Sequence, residues 1–324
     1  MSPLVSVVTS CFNASKYLPE AIESILAQTF KDFEFILIND GSTDNTAEII
    51  RRYEKADKRI VVIEKANTGL ADSLNVGLGL AKGKWIARLD ADDVAFKERI
   101  EKQVNYIADH RNIVLLGTGC FIIDETGNVM RRKTFSSGNA SLLDSLEDGG
   151  FPFPHSSVLY RRDAVQRLGG YRKRLNGAED LDLWLRLNSF GEFACLEAPL
   201  IKLRKHLQSM TAGNYKSLTL TYAGIISNKL NKQNHPDPIE QDEFHFQEFL
   251  KWVEQRLEQQ GRFEELRTYH ALDNRRYTRF GIRSTLEFFI LLISRPGLLL
   301  LWHRIFSSKT TTQLTDEWIK IHEQ

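Results

Sequence analysis

Residues 67–93 read NTGLADSLNVGLGLAKGKWIARLDADD, and this stretch decides which fold the sequence predicts. A helical pattern begins near Asn67-Thr68-Gly69 and continues to about Ala81. An apolar strand follows over Lys84–Leu89 and ends directly at the acidic group Asp90-Ala91-Asp92-Asp93. A helix, a buried strand and a polar turn in this order are typical of a βα repeat, whose strands lie parallel in one sheet.

The chain before this stretch shows the same alternation. Residues 33–39, FEFILIN, are nearly all apolar, as in a strand that is buried on both faces. Ser42 or Thr43 is expected to cap the helix that runs through Tyr53. The pattern up to residue 93 therefore predicts β-α-β-α-β-α-β, a parallel sheet covered by helices with ligands at its carboxyl edge. The strands expected before residue 67 are Leu4–Thr9, Phe33–Asn39 and Ile60–Glu64.

The pattern changes from about residue 113, where strands and helices mix less regularly. A helix is expected over Asp180–Ser189, and the signals become helical after about residue 213. We therefore expect one domain over 1–213, in two halves over 1–112 and 113–213, and a helical C-terminal extension over 214–324. The strands expected in the second half are Ile113–Asp124, Val129–Phe135, Ser156–Tyr160 and Glu192–Arg204.

Composition limits the class of protein. The chain has 324 residues, of which 42% are hydrophobic and 26% charged, and a net charge of +1. With so small a net charge, the protein has no overall positive potential that would attract nucleic acid, so no nucleic-acid partner is expected. Cys11, Cys120 and Cys195 form no CxxC pair, which predicts buried thiols in a reducing compartment. The N-terminus shows no signal-peptide pattern, so a cytoplasmic location is expected.

The acidic group at 90–93 is the sharpest chemical feature. Three carboxylates in four residues repel one another, and a structure tolerates this when a cation compensates them. Oxygen ligands at an open sheet edge suit Mg²⁺ or Mn²⁺, with phosphate oxygens in the remaining positions. The alternative is an ordinary acidic turn and helix cap. The position of the group after a buried strand favours the metal.

A second polar turn, Asn39-Asp40-Gly41-Ser42, follows the strand at 33–39. Asp40 is able to accept hydrogen bonds from a base or a ribose, and Gly41 permits a positive φ or a close backbone approach. A helix N-cap turn is the alternative. Gly77-Leu78-Gly79 lies late in a helical stretch, which is the wrong context for a dinucleotide fingerprint.

Two further features lie in the second half. Glu179-Asp180 begins a predicted helix, where acidic residues are favoured by the helix dipole alone; the functional interpretation is a general base for an acceptor hydroxyl. His206 follows Arg204 and Lys205 at a strand end where phosphates would bind, although a lone histidine is more often an ordinary surface or core residue.

Together these pieces resemble the inverting family 2 glycosyltransferases, which have the GT-A fold. The similar segments occur in the family's order, and the last of them is the weakest. They are VSVVTSCFNASKYLPEAIESILAQTF at 5–30, FEFILINDGSTDNT at 33–46, residues 67–93 as quoted above, HSSVLYRRDAV at 155–165, LGGY at 168–171, AEDLDLWLRL at 178–187 and LRKHLQSMT at 203–211.

The resemblance implies roles for particular residues. Asp180 would be the catalytic base with Glu179 beside it. Asp92 would ligate the metal, with Asp90 and His206 as further metal contacts, and Asp93 would help to orient the site. Gly169, Gly170 and Tyr171 would form a loop near donor and acceptor. The implied nucleotide contacts are Thr9, Phe12, Asn13, Asp40, Asn67, Gly69, Asp90 and Ala91. Ala71-Asp72-Ser73 departs from the family, which often has a basic residue there.

The resemblance implies a metal-dependent enzyme that uses Mn²⁺ or Mg²⁺. It would transfer a sugar from a nucleotide-diphosphate donor, with UDP favoured, to a glycan or lipid-linked acceptor in cell-surface polysaccharide synthesis. Two alternatives stay open: a catalytically inactive scaffold that binds nucleotide sugars, and a sugar nucleotidyltransferase. Residues 9–16 contain no glycine and only Lys16 as a basic residue, which disfavours a triphosphate loop.

The C-terminal region raises the question of a membrane. Leu286–Trp302 is very apolar, but Arg295-Pro296-Gly297 interrupts it, which disfavours a spanning helix. A packed helical pair and a peripheral membrane contact through 275–306 both stay open. In the second, four arginines between 275 and 283 would meet anionic headgroups. A homo-oligomer is also left open.

Overall fold

A computed structural model of the protein describes residues 2–206, 215–265 and 308–322. The chain divides into two compact units, Met1–Leu146 with Phe151–His206, and Glu147–Gly150 with Leu207–Gln324. The domain boundary expected near residue 213 lies outside the described residues, as do Leu286–Trp302 and all of 275–306. The expected boundary and the membrane contact therefore stay predictions.

The first half of the first unit alternates strands and helices as the sequence predicts. The elements are β1 (Val5–Cys11), α1 (Leu18–Leu26), β2 (Phe33–Asp40), α2 (Thr46–Ala56), β3 (Ile60–Lys65), α3 (Leu70–Leu80) and β4 (Trp85–Arg88). The four strands pair in parallel in the order β3-β2-β1-β4. Every residue of β2 is buried, because helices cover both faces of a parallel sheet.

Helix α3 lies unusually close to β1. A Cβ atom added at Gly77 would lie 2.5 Å from Cγ1 of Val8, so a glycine is required at this contact. Gly79, two residues later, is exposed and has no heavy atom within 4 Å of such a Cβ. The Gly77-Leu78-Gly79 sequence is therefore explained by packing at one of its two glycines.

The expected cap of α2 was wrong. The helix begins at Thr46 rather than near residue 43, and the backbone N of Thr46 donates to Oδ1 of Asp44 at 3.0 Å. Ser42 and Thr43 instead bond to Asn13, because the turn after β2 lies against the turn after β1. A local capping pattern was overridden by this contact between the two turns.

The second half of the unit completes a mixed sheet. Its order continues β4-β8-β6-β9-β5, with β7 paired to β6; β6 and β9 are parallel and the other pairs of this half are antiparallel. Short 3₁₀ turns occur at 155–157, 173–175 and 188–190. The elements are β5 (Val94–Ala95), α4 (Arg99–Asp109), β6 (Ile113–Ile123), β7 (Val129–Lys133), α5 (Asn139–Glu147), β8 (Leu159–Arg161), α6 (Arg162–Arg167), α7 (Glu179–Leu187) and β9 (Glu192–Arg204).

The core of this unit lies between the sheet and its helices and is built mainly from Val, Ile, Leu and Phe side chains. Cys11, Cys120 and Cys195 are all buried free thiols, as predicted. Burial of β1, β2 and β4 leaves their polar C-terminal turns as the part of these strands available to ligands.

The described part of the second unit is helical and contains α8 (Tyr215–Lys232), α9 (Glu243–Gln259) and α10 (Ser308–His322). Asp242 caps α9 by accepting from the backbone N of His245 at 3.0 Å. The Trp318 ring of α10 lies 4.8 Å from Phe249 and 5.0 Å from Trp252 of α9, between ring centroids. No helix in the described ranges has the length and apolar character needed to cross a membrane.

Candidate active site

The carboxyl ends of β1, β2 and β4 meet at one edge of the sheet, because these strands are parallel neighbours. Asn13 follows β1, Asp40 ends β2, and Asp90 begins the acidic group after β4. The end of β9 reaches the same edge, where Arg204 and His206 bond to the acidic group. The fold therefore gathers predicted site residues from four strands.

Strand β1 and the turn after it carry three of the predicted nucleotide contacts. Phe12 is 51% exposed, which is unusual for a large apolar side chain and leaves a ring face open at the edge. Asn13 has a positive φ of 49° and accepts from the backbone N of Thr43 at 2.8 Å. Thr9 is buried, and its hydroxyl donates to the carbonyl of Leu89 at 2.8 Å. Phe12 and Asn13 thus lie at the surface of the edge, whereas the Thr9 side chain ties β1 to β4.

Asp40 organises the turn that precedes α3. Its buried carboxylate accepts from the backbone N of Thr68 and of Gly69, each at 3.0 Å, and forms an ion pair with Lys65. Burial acts to raise the pKa of Asp40, but the bond and charge of Lys65 and the backbone bonds lower it below its ordinary value. The carboxylate is therefore ionised and holds the NTG turn in place.

The NTG turn itself lies against the turn after β2. Gly41 has a φ of 70°, and a Cβ there would lie 2.6 Å from the backbone N of Asn67. Gly69, with a φ of 93°, lies beside the side chain of Asn176. Both glycines permit backbone approaches that a larger residue would block. Asn67 is exposed and faces solvent near Asp40.

Asp90 is held by partners that the sequence did not suggest. Its Oδ1 forms an ion pair with the buried Arg88, and its Oδ2 accepts from the hydroxyl of Ser156 at 2.7 Å. Partial burial acts to raise the pKa of Asp90, but the charge of Arg88 brings it below its ordinary value. About a third of the side chain stays exposed, at 33%, so Asp90 is still open to a ligand.

Arg88 links Asp90 to two backbone carbonyls and to the side chain of His155. Its Nη1 donates to the carbonyls of Val8 at 2.8 Å and Leu89 at 2.9 Å, and its Nε donates to Nε2 of His155 at 3.3 Å. Burial, and then the charge of Arg88, lower the pKa of His155 to about 3, so this histidine is neutral. The hydroxyl of Tyr171 lies 3.0 Å from the same His155 nitrogen.

Asp92 is paired with the end of β9. Its Oδ2 lies 2.9 Å from Nε2 of His206, and its carbonyl accepts from Nε of Arg204 at 2.9 Å. The Tyr17 ring supports both residues, with the Arg204 guanidinium 4.6 Å and the His206 ring 5.1 Å from its centroid. Burial, and then the charge of Asp90, raise the pKa of Asp92. Ala91, between the two aspartates, is buried and has no polar side chain to offer.

Asp93 points inward. Its Oδ1 accepts from the backbone N of Arg204 at 2.8 Å, whereas its Oδ2 is buried without a hydrogen-bond partner. Burial, followed by the charges of Asp92 and Asp90, raises the pKa of Asp93 well above its ordinary value. Through its bond to the backbone of Arg204, Asp93 acts as a buried support for the loop.

Side chains and backbone of the protein itself bond to all three aspartates of this acidic group. The protein supplies compensation itself, through Arg88 at Asp90, His206 at Asp92 and the backbone of Arg204 at Asp93. The three carboxylates therefore do not by themselves require a metal.

A cation still fits the donor set that is present. Within residues 2–206, 215–265 and 308–322, no three histidine, cysteine or acidic side chains form a metal-binding group. Asp92 and His206, however, bring an oxygen and a nitrogen together at the open edge. Mg²⁺ is commonly held by one or two carboxylates with substrate phosphates and water completing the shell. Asp90, the third predicted ligand, is engaged by Arg88 and Ser156 instead.

Glu179 and Asp180 begin α7 as predicted. Glu179 is buried, and its Oε2 accepts from the backbone N of Gly177 at 2.6 Å. Burial raises the pKa of Glu179 to about 7, with the charge of Asp180 adding to the effect. Burial is also the main cause that raises the pKa of Asp180 to about 6; the charge of Asp90 acts in the same direction, whereas the backbone bond from Leu181 and the charge of Arg88 oppose it. Asp180 is partly exposed, so it suits a base that works near neutral pH.

The predicted loop at 169–171 is held by Asn75, a residue that was not among the predicted site residues. Asn75 of α3 donates to the carbonyl of Tyr171 at 2.7 Å and accepts from its backbone N at 2.8 Å. Gly169 and Gly170 both have a positive φ, of 77° and 79°. Contacts between residues 96 positions apart leave no local pattern, so sequence reasoning had no signal for Asn75.

Asp72, which departs from the family pattern, lies in an ion-pair network. It pairs with Lys65, at 3.3 Å, and with Lys173 from the 3₁₀ turn before α7. The bond to Lys173, the largest influence, helps to lower the pKa of Asp72 to about 2. Positive charge is therefore present at the first turn of α3, although it comes from other elements.

Comparison with known proteins gives a consistent result. A model of the family described as glycosyl transferase family 2 matches residues 6–169. The chain is 39% identical over 193 residues to the putative glycosyltransferase EpsE of Bacillus subtilis, a match that covers 57% of this chain and 66% of that protein. It is 32% identical over 206 residues to the amylovoran biosynthesis glycosyltransferase AmsE of Erwinia amylovora, covering 62% of this chain and 76% of that protein.

Solved structures share the fold. Residues 1–349 of S. aureus TarS, in complex with UDP-GlcNAc, superpose with a TM-score of 0.60 at 21% identity, over 77% of this chain and 70% of that one. The mannosyltransferase PcManGT of Pyrobaculum calidifontis, in complex with GDP-Man and Mn²⁺, gives a TM-score of 0.55 at 15% identity, over 99% of this chain and 88% of that one. At these identities the likeness shows a common architecture.

Proposed function

Since this chain belongs to glycosyl transferase family 2, we propose that it transfers a sugar from a nucleotide-diphosphate donor to a hydroxyl group of a glycan or lipid-linked acceptor, with inversion at the anomeric carbon. The observation that carries the proposal is the arrangement of two acidic centres. Asp90 and Asp92 lie at the carboxyl edge of the sheet, and Asp180 lies close enough for the charge of Asp90 to raise its pKa. With a divalent cation bound, the first centre would suit the donor diphosphate, and Asp180 would suit proton removal from the acceptor.

Asp180 takes the proton of the acceptor hydroxyl as that oxygen attacks the anomeric carbon. The bond from this carbon to the phosphate oxygen breaks, and the nucleoside diphosphate leaves with the electron pair. Attack from the opposite face in one displacement inverts the anomeric centre. The protein contributes mainly by holding donor and acceptor in line.

The turns after β1 and β2 are the proposed nucleotide site. Phe12 offers an exposed ring for the base, and Asn13 and Asn67 offer amide groups at the same edge. Asp40 keeps the NTG turn in place through the backbone N of Gly69. TarS is bound to UDP-GlcNAc and PcManGT to GDP-Man, so both bases occur on this fold; we propose UDP, which the family resemblance favours.

Asp92 and His206 would hold a divalent cation, Mn²⁺ or Mg²⁺, and Asp90 would face the ribose. When bound, such an ion supplies positive charge against the diphosphate that leaves. The structure of PcManGT with Mn²⁺ supports a cation on this fold. The relative named for amylovoran biosynthesis supports a role in polysaccharide synthesis.

The test is a screen of nucleotide sugars for release of nucleoside diphosphate, with Mn²⁺ or with a chelator, and with Asp92→Asn as the control variant. We expect release from one donor that depends on the cation and is lost in the control. Binding of a donor without any release would identify an inactive scaffold. Formation of a nucleotide sugar from a triphosphate and a sugar phosphate would identify a nucleotidyltransferase.

A further inference from the structure

Residues 169–177, called here the 169–177 segment, lie along α3 through contacts that repeat over two helical turns. Asn176 Oδ1 accepts from the backbone N of Ala71 at 3.1 Å, in the first turn of α3. Lys173 forms its ion pair with Asp72 in the same turn. Asn75, one turn later, bonds to Tyr171. The segment is therefore fastened to one helix at three successive points.

The bond between Asn75 and Tyr171 is the most specific of these contacts. The side-chain amide donates from Nδ2 to the Tyr171 carbonyl at 2.7 Å and accepts at Oδ1 from the Tyr171 N–H at 2.8 Å. An amide has one donor group and one acceptor, which match the two backbone groups of a single residue. A carboxylate would repel the carbonyl, and an alanine would lose both bonds.

Gly170 allows this close approach. Its φ is 79°, and a Cβ there would lie 2.3 Å from Oδ1 of Asn75. On the other side, Nη2 of Arg186 in α7 donates to the Gly170 carbonyl at 2.9 Å, and Nη1 donates to the Leu168 carbonyl at 3.1 Å. The start of the segment is thus held between α3 and α7.

The segment leads directly into the helix that carries the proposed base. Its last residue, Gly177, donates from its backbone N to Oε2 of Glu179 at 2.6 Å, and Asp180 follows in the first turn of α7. Helix α3 begins after Gly69, whose backbone N donates to Asp40. One helix therefore joins the turn held by Asp40 to the segment that determines where α7 begins.

We propose that Asn75 is a positioning residue for Asp180: by bonding both backbone groups of Tyr171, it fixes the 169–177 segment on α3 and so places the start of α7. The role of Asp180 in this statement rests on the proposed function. Asn75 touches neither donor nor acceptor in this scheme, and its effect passes through the segment.

The experiment compares Asn75→Ala and Asn75→Asp with Asn105→Asp, a control at an exposed position of another helix, α4. For each we would measure kcat and KM for the donor, the affinity for UDP with Mn²⁺, and amide hydrogen exchange. A misplacement of about 1 Å costs up to roughly 100-fold in rate, so we expect kcat to fall on the order of 10-fold or more in both Asn75 variants. Donor KM, UDP affinity and the control should stay within about twofold of wild type, since the nucleotide turns are untouched.

Hydrogen exchange gives a readout besides activity. In Asn75→Ala the Tyr171 amide loses its acceptor and should exchange on the order of 10-fold faster, while amides of β1, β2 and β4 keep their wild-type rates. An unchanged kcat together with faster exchange at Tyr171 would overturn the positioning role. Faster exchange throughout the sheet with weaker UDP binding would also overturn it, because the effect would then be general destabilisation.

Failure of the proposed function has a different signature. If wild type releases nucleotide from no donor, the role of Asp180 as a base is wrong, and the statement about its placement falls with it. Exchange at Tyr171 then still decides whether Asn75 holds the segment, because that measurement needs no substrate.

Discussion

Replacing Asp180 by asparagine tests the assignment of the base. The change keeps the size of the side chain, and the amide oxygen retains the acceptor for the backbone N of Leu181, which Asp180 Oδ1 binds at 2.8 Å. The fold should therefore persist, but the side chain no longer takes a proton. Positioned general bases contribute about 10²–10⁴-fold, so we expect kcat to fall by that amount with nucleotide affinity unchanged.

The pH dependence supplies a second magnitude. Burial raises the pKa of Asp180 from its ordinary value of 3.8 to about 6. The base is ionised and active above that pH, and protonation removes it below. In wild type the transfer rate should therefore fall roughly tenfold per pH unit below about pH 6, so that at pH 5 it is about a tenth of its plateau. Asp180→Asn should lack this acidic limb.

The assay is release of nucleoside diphosphate in the presence of acceptor between pH 5 and pH 8, with UDP binding measured in parallel. Asp163→Asn is the matched control, because Asp163 also lies in the first turn of a helix, α6, and pairs with Arg161 at 2.8 Å. If the acidic residue served only the helix dipole, the two variants would behave alike. Turnover of Asp180→Asn within tenfold of wild type, with an unchanged acidic limb, would refute the assignment.

Three further predictions concern the cation, the buried arginine and the packing of α3. His206→Ala should raise the Mn²⁺ concentration needed for half-maximal nucleotide release on the order of tenfold or more, and an unchanged Mn²⁺ titration would remove His206 from the cation site. Arg88→Met should lower the free energy of unfolding in urea by about 3–5 kcal/mol, because it leaves Asp90 without its buried partner; a loss near zero would contradict the compensation described above. Gly77→Ala should lower that free energy by about 1–3 kcal/mol through its clash with Val8. Gly79→Ala, at an exposed position of the same helix, should raise it by up to about 1 kcal/mol, and equal effects of the two changes would contradict the packing.

The sequence predicted the GT-A fold and the elements up to residue 93, and the structure and its comparisons confirm them. Strands β1, β2 and β4 are almost entirely buried and alternate with helices, so their apolar runs are easy to recognise in the sequence. Helix α4 escaped prediction because two of its four buried residues, Arg99 and Gln103, are polar and interrupt the apolar stripe. Strand β5 has only two residues, which is too short for any pattern.

The candidate site, like the fold, was predicted only in part from the sequence. Short motifs that can be recognised in the sequence contain Asp90, Asp92 and Asp180. The roles of these three residues stay predictions. The residues that hold the site in place could not be predicted, because each comes from a distant part of the chain. Ser156 bonds to Asp90 across 66 positions, and Asn75 bonds to Tyr171 across 96 positions. Only folding brings these partners together.

The position of strand β9 late in the chain affects when the candidate site is completed during synthesis. The acidic group is joined by His206, which lies 114 positions after Asp92. Closing so long a loop costs more entropy than pairing β1 with β2 or β4, and domains fold from the N-terminus during synthesis. The acidic edge is therefore completed only after β9 has been made, and any dependence of nucleotide binding on a cation should appear only once residue 206 has left the exit tunnel.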